Sequence, residues 1–197
     1  MKAIAARLTA VKASTRFSAM RAHALNRALA SPRLSIEPLL ASHAPAMFEP
    51  LQEEALYAWI SAEPPSSIAA LTARWQRNES RVAPDGSSAW LAWVVLVGDE
   101  IVGKLDAEIT TSEVASDVGY LVFAAHWGKG IASEAVGALS DHLAQAGIRE
   151  QHATVTVGNQ ASCRVLEKCG FERSAVLPAN DVIRGVSYDD YAYVRRG

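Results

Sequence analysis

The 197 residues are half hydrophobic and carry 19 Lys and Arg against 21 Asp and Glu, a net charge of −2. That balance suits one globular domain with a full-sized core and excludes a chain built wholly to coat nucleic acid; no apolar run reaches the ~18 residues of a membrane span. The charge is uneven: residues 1–30 hold six basic side chains (Lys2, Arg7, Lys12, Arg16, Arg21, Arg27) and no acid, leaving 13 basic against 21 acidic residues in 31–197, net −8.

Residues 1–30 therefore read as a basic extension, and 31–197 as the folded domain. The extension lacks the continuous apolar stretch of a secretory leader. Its composition fits either an organelle transit peptide or a loosely structured arm. Cys163 and Cys169 stand six apart on an expected helix, match no zinc or CxxC redox spacing, and read as thiols in a reducing cytoplasm.

In chain order, Leu34–Pro38 alternates as a short strand, and Ala41 to Gln52 reads as a helix trailing through Leu56, Tyr57 and Ile60. After the break at Pro64-Pro65, a Ser cap opens a second helix with Ile68, Leu71 and Trp75 on one stripe. Turn residues at 83–88 precede the strand Trp90–Val97, a short turn and the strand Ile101–Thr110, which together form a hairpin. Asp117–Phe123 is a third strand of this series. Ile131, Ala135, Leu139 and Leu143 then recur at helical spacing up to Gly147. Gln151–Val157 is a strand, Asn159–Cys169 a helix closed by Gly170, and Phe171–Val176 and Val186–Val194 are the last strands. Trp59, Trp75, Trp90 and Trp93 are expected in the core or else in the wall of an acceptor pocket. Hairpin-linked strands followed by strand-helix units predict an α/β fold: a mixed, mostly antiparallel sheet of about six to seven strands with helices on both faces.

The stretch His126-Trp127-Gly128-Lys129-Gly130-Ile131 lies between a strand and a helix. Glycine there frees the backbone amides of a helix start to hold an anion, typically phosphate; a merely tight turn is the alternative. A Walker loop does not fit, because Lys129 is followed by Gly130 and no glycine lies five before Gly128. A dinucleotide fingerprint does not fit either, since Ser133 takes its third glycine position.

Trp127 to Ala132 resembles the [QR]-x-x-G-x-[GA] loop of the GCN5-related N-acetyltransferases, with Trp127 in place of Gln or Arg. Downstream, Asn159 to Phe171 resembles the family's N-x-x-[AS]…G-F segment, and Val118-Gly119-Tyr120-Leu121-Val122 resembles its fourth strand. The order of elements also agrees over about residues 33–194, and the branch with the greatest similarity is the ribosomal-protein alanine acetyltransferases.

The resemblance implies acetyl-CoA as co-substrate, with no metal, and a primary amine as acceptor, either a protein N-terminus or a small molecule. It implies that the backbone of Leu121, Val122 and Phe123 pairs with the pantetheine arm. The pyrophosphate would lie on the amides of Gly128, Lys129, Gly130, Ile131, Ala132 and Ser133, and Asn159 would cap its helix or bond the arm near the thioester. The amine attacks the thioester directly, so a base and a thiol acid are needed. Here Leu166 stands at the position that often carries a tyrosine acid, and Thr154 at the position of a glutamate base. Ser162 matches the serine used in the alanine-acetyltransferase branch. For the base the sequence offers Glu108, with Asp106 on the same strand face, and more weakly Tyr120, His126 and His152; Glu134 suits the helix dipole without a catalytic role. A coenzyme-binding module without turnover is the alternative of the same fold. No nucleic-acid or membrane partner is expected, and a homodimer through the C-terminal strands is one arrangement open to the chain.

Overall fold

The structure, a computed structural model, describes residues 16–197, so Lys2, Arg7 and Lys12 lie outside the described residues. Among the described residues eight strands follow one another: β1 (Leu29–Ala30), β2 (Ser35–Pro38), β3 (Ser88–Val97), β4 (Glu100–Thr110), β5 (Ala115–Val122), β6 (Glu150–Thr156), β7 (Glu172–Ile183) and β8 (Val186–Arg196). They form one sheet in the order β1-β2-β3-β4-β5-β6-β8-β7, antiparallel throughout except for the parallel neighbours β5 and β6. The strand beyond the six to seven expected is β1, whose two residues are too few to show a period.

Alternation along β3 divides the core between the two faces. Leu91, Trp93 and Val95 point to one face, under α1 (Ala19–Leu25), α4 (Ile131–Gln145) and α5 (Gln160–Lys168). Ala92, Val94 and Leu96 point to the other, under α2 (Ala44–Phe48) and α3 (Ile68–Asn78). Trp93 and Trp75 are core as expected, but Trp59 and Trp90 are 39% and 38% exposed.

The long helix expected over 41–52 is broken into α2 flanked by single 3-10 turns at Ala41–His43, Pro50–Gln52 and Glu54–Tyr57. Proline is the physical reason. Pro45 fits only the first turn of α2, and Pro50 has no amide to continue it. The stretch between the expected strands Phe171–Val176 and Val186–Val194 is not a loop but a continuation of the hairpin: β7 and β8 run on to a tip at Arg184-Gly185, both at positive φ (51° and 81°).

The compositional boundary at residue 30 falls inside the packing. Ser18 caps α1, and Ala22 and Leu25 are fully buried in the core; a buried leucine contributes about 1.5–3 kcal/mol. Arg21 donates from Nη2 to the carbonyl of Ala146 at the end of α4 (2.6 Å), where a cation meets the negative pole of the helix.

His142, 6% exposed, donates from Nε2 to the Leu25 carbonyl (2.7 Å) and ties α1 to α4. Burial, and secondarily Arg27, hold its pKa below the usual 6.5, against the opposing pull of the Leu25 carbonyl. The neutral imidazole is therefore the folded form, and the unfolded chain takes the proton first as pH falls below 6.5. The stability that His142 contributes is therefore expected to be lost between pH 7.5 and pH 5.5. His142→Gln should remove that loss, so that the Tm difference between variant and wild type changes across this range, and a difference that stays constant would refute the role.

Candidate active site

Strands β5 and β6 are paired only at Ala115↔Gln151 and diverge beyond it. The open edge of β5 can be read from its other side. The Phe123 amide donates to the Val102 carbonyl of β4 (2.9 Å). Alternation turns Leu121 the same way and turns the amides of Tyr120 and Val122 toward the gap. So of Leu121, Val122 and Phe123, Val122 faces the gap, while the Phe123 amide is committed within the sheet. Trp127, the unusual first residue of the loop, donates its indole N–H to the Val122 carbonyl (2.6 Å) and folds the loop back onto the strand end.

The loop that follows is exposed from Trp127 to Gly130. Gly128 and Gly130 both take positive φ, 74° and 78°. Gly130 is the left-handed N-cap of α4 and has no side chain to satisfy the first amides. The backbone amides from Gly130 through Ser133 thus start a 15-residue helix uncapped by any side chain, the arrangement that holds phosphate. Ile131 is 5% exposed; its side chain anchors the helix start in the core.

On the α4/α5 side of the gap stand two hydroxyls. Tyr120 Oη and Ser162 Oγ lie 2.6 Å apart. Burial pushes the Tyr120 phenol up to about 12, against the lowering effect of its Ser162 bond, so it stays protonated. Asn159 caps α5: its Oδ1 accepts from the Ser162 amide (3.1 Å), and this bond fixes where Ser162 sits. Leu166, where a tyrosine acid could have stood, is buried in the core.

On the opposite face lies an acidic cluster. Strand register sets Glu108 directly opposite Asp117, and Asp106 opposite Gly119. The Asp106 carboxylate lies over Gly119 where any Cβ would collide with it, and is paired with Lys104. Glu108 Oε1 accepts from the buried Ser88 hydroxyl (2.6 Å). Asp117 stays open to solvent, yet crowding by surrounding protein, then the charges of Asp106 and Glu108, push its carboxyl up to about 6. Sequence reasoning weighed Asp106 and Glu108 but missed Asp117, and it did not pair Tyr120 with Ser162. The first was legible in principle, because the hairpin register places Asp117 against Glu108. The second crosses from β5 to α5 and has no signal along the chain.

The other candidates are engaged elsewhere. His126 Nε2 meets Glu100 Oε1 (3.1 Å), and His152 Nε2 meets Glu150 Oε1 (2.9 Å). Thr154 is exposed on β6. Among the described residues no cluster could hold a metal ion, and no helix is long and apolar enough to cross a membrane. A cavity of about 570 Å³ lies between residues 54–64 and the β7–β8 tip, with Glu54, Tyr57, Glu63 and Arg184 in its wall. The segment is anchored near the end of β6: Thr156 Oγ1 donates to the Trp59 carbonyl (3.2 Å), and the Trp59 ring lies against Gly158.

A splayed parallel pair beside a glycine-started helix, on a mostly antiparallel sheet, defines the class of acyl-coenzyme-dependent transferase folds. The model of the Acetyltransferase (GNAT) domain matches residues 33–172, and the chain belongs to that family. It is 32% identical over 79 residues to a Bacillus subtilis protein named as the uncharacterized N-acetyltransferase YoaA, covering 40% of this chain and 45% of that one. It is 27% identical over 111 residues to the uncharacterized N-acetyltransferase p20 of Bacillus licheniformis, covering 55% and 62%. The chain thus spans about half the length of these curated relatives. Among solved structures it is similar to RimL, a ribosomal L7/L12 alpha-N-protein acetyltransferase in complex with coenzyme A (TM-score 0.77, 24% identity, 86% of this chain and 97% of that one). It is also similar to the microcin C7 self-immunity acetyltransferase MccE, in complex with acetyl-CoA and AMP (TM-score 0.74, 19% identity, 85% and 94%).

Proposed function

We propose that this chain transfers an acetyl group from acetyl-CoA to a primary amine by direct attack. The observation that carries this reading is the gap between β5 and β6, with a hydroxyl pair on one face and an acidic cluster on the other. The amides of Gly128 to Ser133 hold the pyrophosphate, and Asn159 helps to seat the arm. The Tyr120 and Val122 amides bond the arm at the open strand edge. A donor aimed at the thioester carbonyl stabilises the oxyanion by about 3 kcal/mol.

The amine enters on the α2/α3 face and gives up its ammonium proton, through water, to Asp117, with Glu108 beside it. Solvent access suits a base that works through water, and a pKa near 6 leaves it ionised at neutral pH. The thiolate leaves toward the α4/α5 face, where Ser162 donates a hydrogen bond and Tyr120 backs it. The acceptor reaches the gap from the 570 Å³ cavity, where two carboxylates, Glu54 and Glu63, against one cation, Arg184, favour a cationic acceptor, whether a peptide N-terminus or a small amine. The exposed outer strand β7 is where a second copy of the chain would add.

The test is thiol release from acetyl-CoA against a panel of peptide and small amines. Wild type should turn over at least one of them. Ser162→Ala should lower kcat by about ten- to a hundredfold with coenzyme affinity unchanged, the effect of losing one donor to a charged group. Tight coenzyme binding with no turnover on any amine would make the chain a binding module instead.

A further inference from the structure

We infer that Arg33, held by Glu134, is a positioning residue for the phosphate loop, although it lies almost a hundred residues away in the chain. The inference rests on the coenzyme reading above and adds a residue from the N-terminal part of the domain to it. Glu134, in the first turn of α4, gathers three donors from the connection between β1 and β2. Its Oε1 accepts from the Ser31 hydroxyl (2.7 Å) and the Arg33 amide (2.9 Å), and its Oε2 from Arg33 Nε (2.6 Å). These bonds hold the Glu134 carboxyl below the usual carboxylate range, against the opposing effect of desolvation.

The same guanidinium turns Nη1 to the loop, where it donates to the Lys129 carbonyl (3.1 Å). Its Nη2 also pairs with Glu134 Oε2 (2.6 Å) and lies 3.5 Å from where a Cβ on Gly130 would stand. One planar fork thus grips both the first helical turn and the peptide that enters the left-handed Gly130. Holding the Lys129 carbonyl outward has an electrostatic consequence. A carbonyl turned in among the free amides would repel a phosphate, and the amides would lose their common direction. Arg33 also lines a cavity of about 280 Å³ together with Lys129, His126 and Glu100. Lysine could replace only one end of this grip, because it presents a single point charge where arginine presents a rigid fork.

The experiment compares acetyl-CoA with acetyl-pantetheine, which has the thioester arm and no phosphate. It uses wild type, Arg33→Ala, Arg33→Lys and Glu134→Gln, with the thermal midpoint of each without ligand. The expected result is a rise of about tenfold in KM for acetyl-CoA with Arg33→Ala, the size of one lost bond from a charged donor. Glu134→Gln should give a smaller rise, Arg33→Lys partial recovery, and KM for acetyl-pantetheine and kcat should stay at wild-type values. Equal losses on both substrates would show that Arg33 only supports the fold, and no change on either would show that the loop stands without it; both outcomes overturn the inference. If wild type itself failed to use acetyl-CoA, the functional reading would fall instead.

Discussion

Gly130→Val is expected to abolish coenzyme binding, whereas Lys129→Ala should weaken it by no more than a few-fold. Gly130 sits at φ 78°, ψ 4°, a left-handed conformation that costs an L-residue roughly 1–2 kcal/mol and a β-branched one more. The strain is in the backbone itself, since a Cβ there would meet only Arg33 at ordinary contact distance. Valine would relieve it by swinging the peptide toward negative φ, and the amides that follow would no longer converge. Two lost bonds to a charged phosphate amount to about 3–6 kcal/mol, or about 10²–10⁴-fold in Kd. Lys129 is exposed and contributes a screened charge, worth under about 1 kcal/mol. Calorimetric titration with coenzyme A measures both, and the ligand-free thermal midpoint shows whether the valine variant folds. Normal affinity in a folded Gly130→Val protein would mean that backbone amides do not bind here.

Asp117→Asn is expected to lower turnover at pH 7.5 by about 10²–10⁴-fold, the usual contribution of a positioned base. The pH dependence gives the sharper test. The carboxyl, raised from 3.8 to about 6 by crowding and then by Asp106 and Glu108, accepts a proton only when ionised. The rate in wild type should therefore fall as pH drops through about 6, and the asparagine variant should lose that limb. Stability should move the other way. A folded pKa above the unfolded one means that ionised Asp117 destabilises the fold, and that the folded state gains stability as pH falls from about 6 to 3.8. Asp117→Asn should thus melt higher than wild type at pH 7.5, which separates a lost base from a damaged fold. Glu108→Gln removes a like charge and should shift the limb to lower pH while keeping the rate at pH 8. If Glu108→Gln abolished turnover and Asp117→Asn did not, the base would be Glu108.

The chain itself determined the fold class, the order of elements from Leu34 onward and the glycine loop that opens α4. These rest on local signals: the apolar run of β3 joined by a short turn to β4, the four-residue stripe of α4, and glycines at two left-handed positions. Local signals also misled where proline overrode a helical pattern at Pro45 and Pro50, and where composition set residues 1–30 apart although Ala22 and Leu25 pack in the core. The chemistry of the gap was decided only in three dimensions. Tyr120 meets Ser162 across 42 positions, Arg33 meets Glu134 across 101, and the Asp117 carboxyl is raised by crowding and then by Asp106 and Glu108, which strand register and face set beside it. A pKa and a hydrogen bond belong to neighbours in space, and a sheet that splays at one end brings together residues that no spacing along the chain can pair.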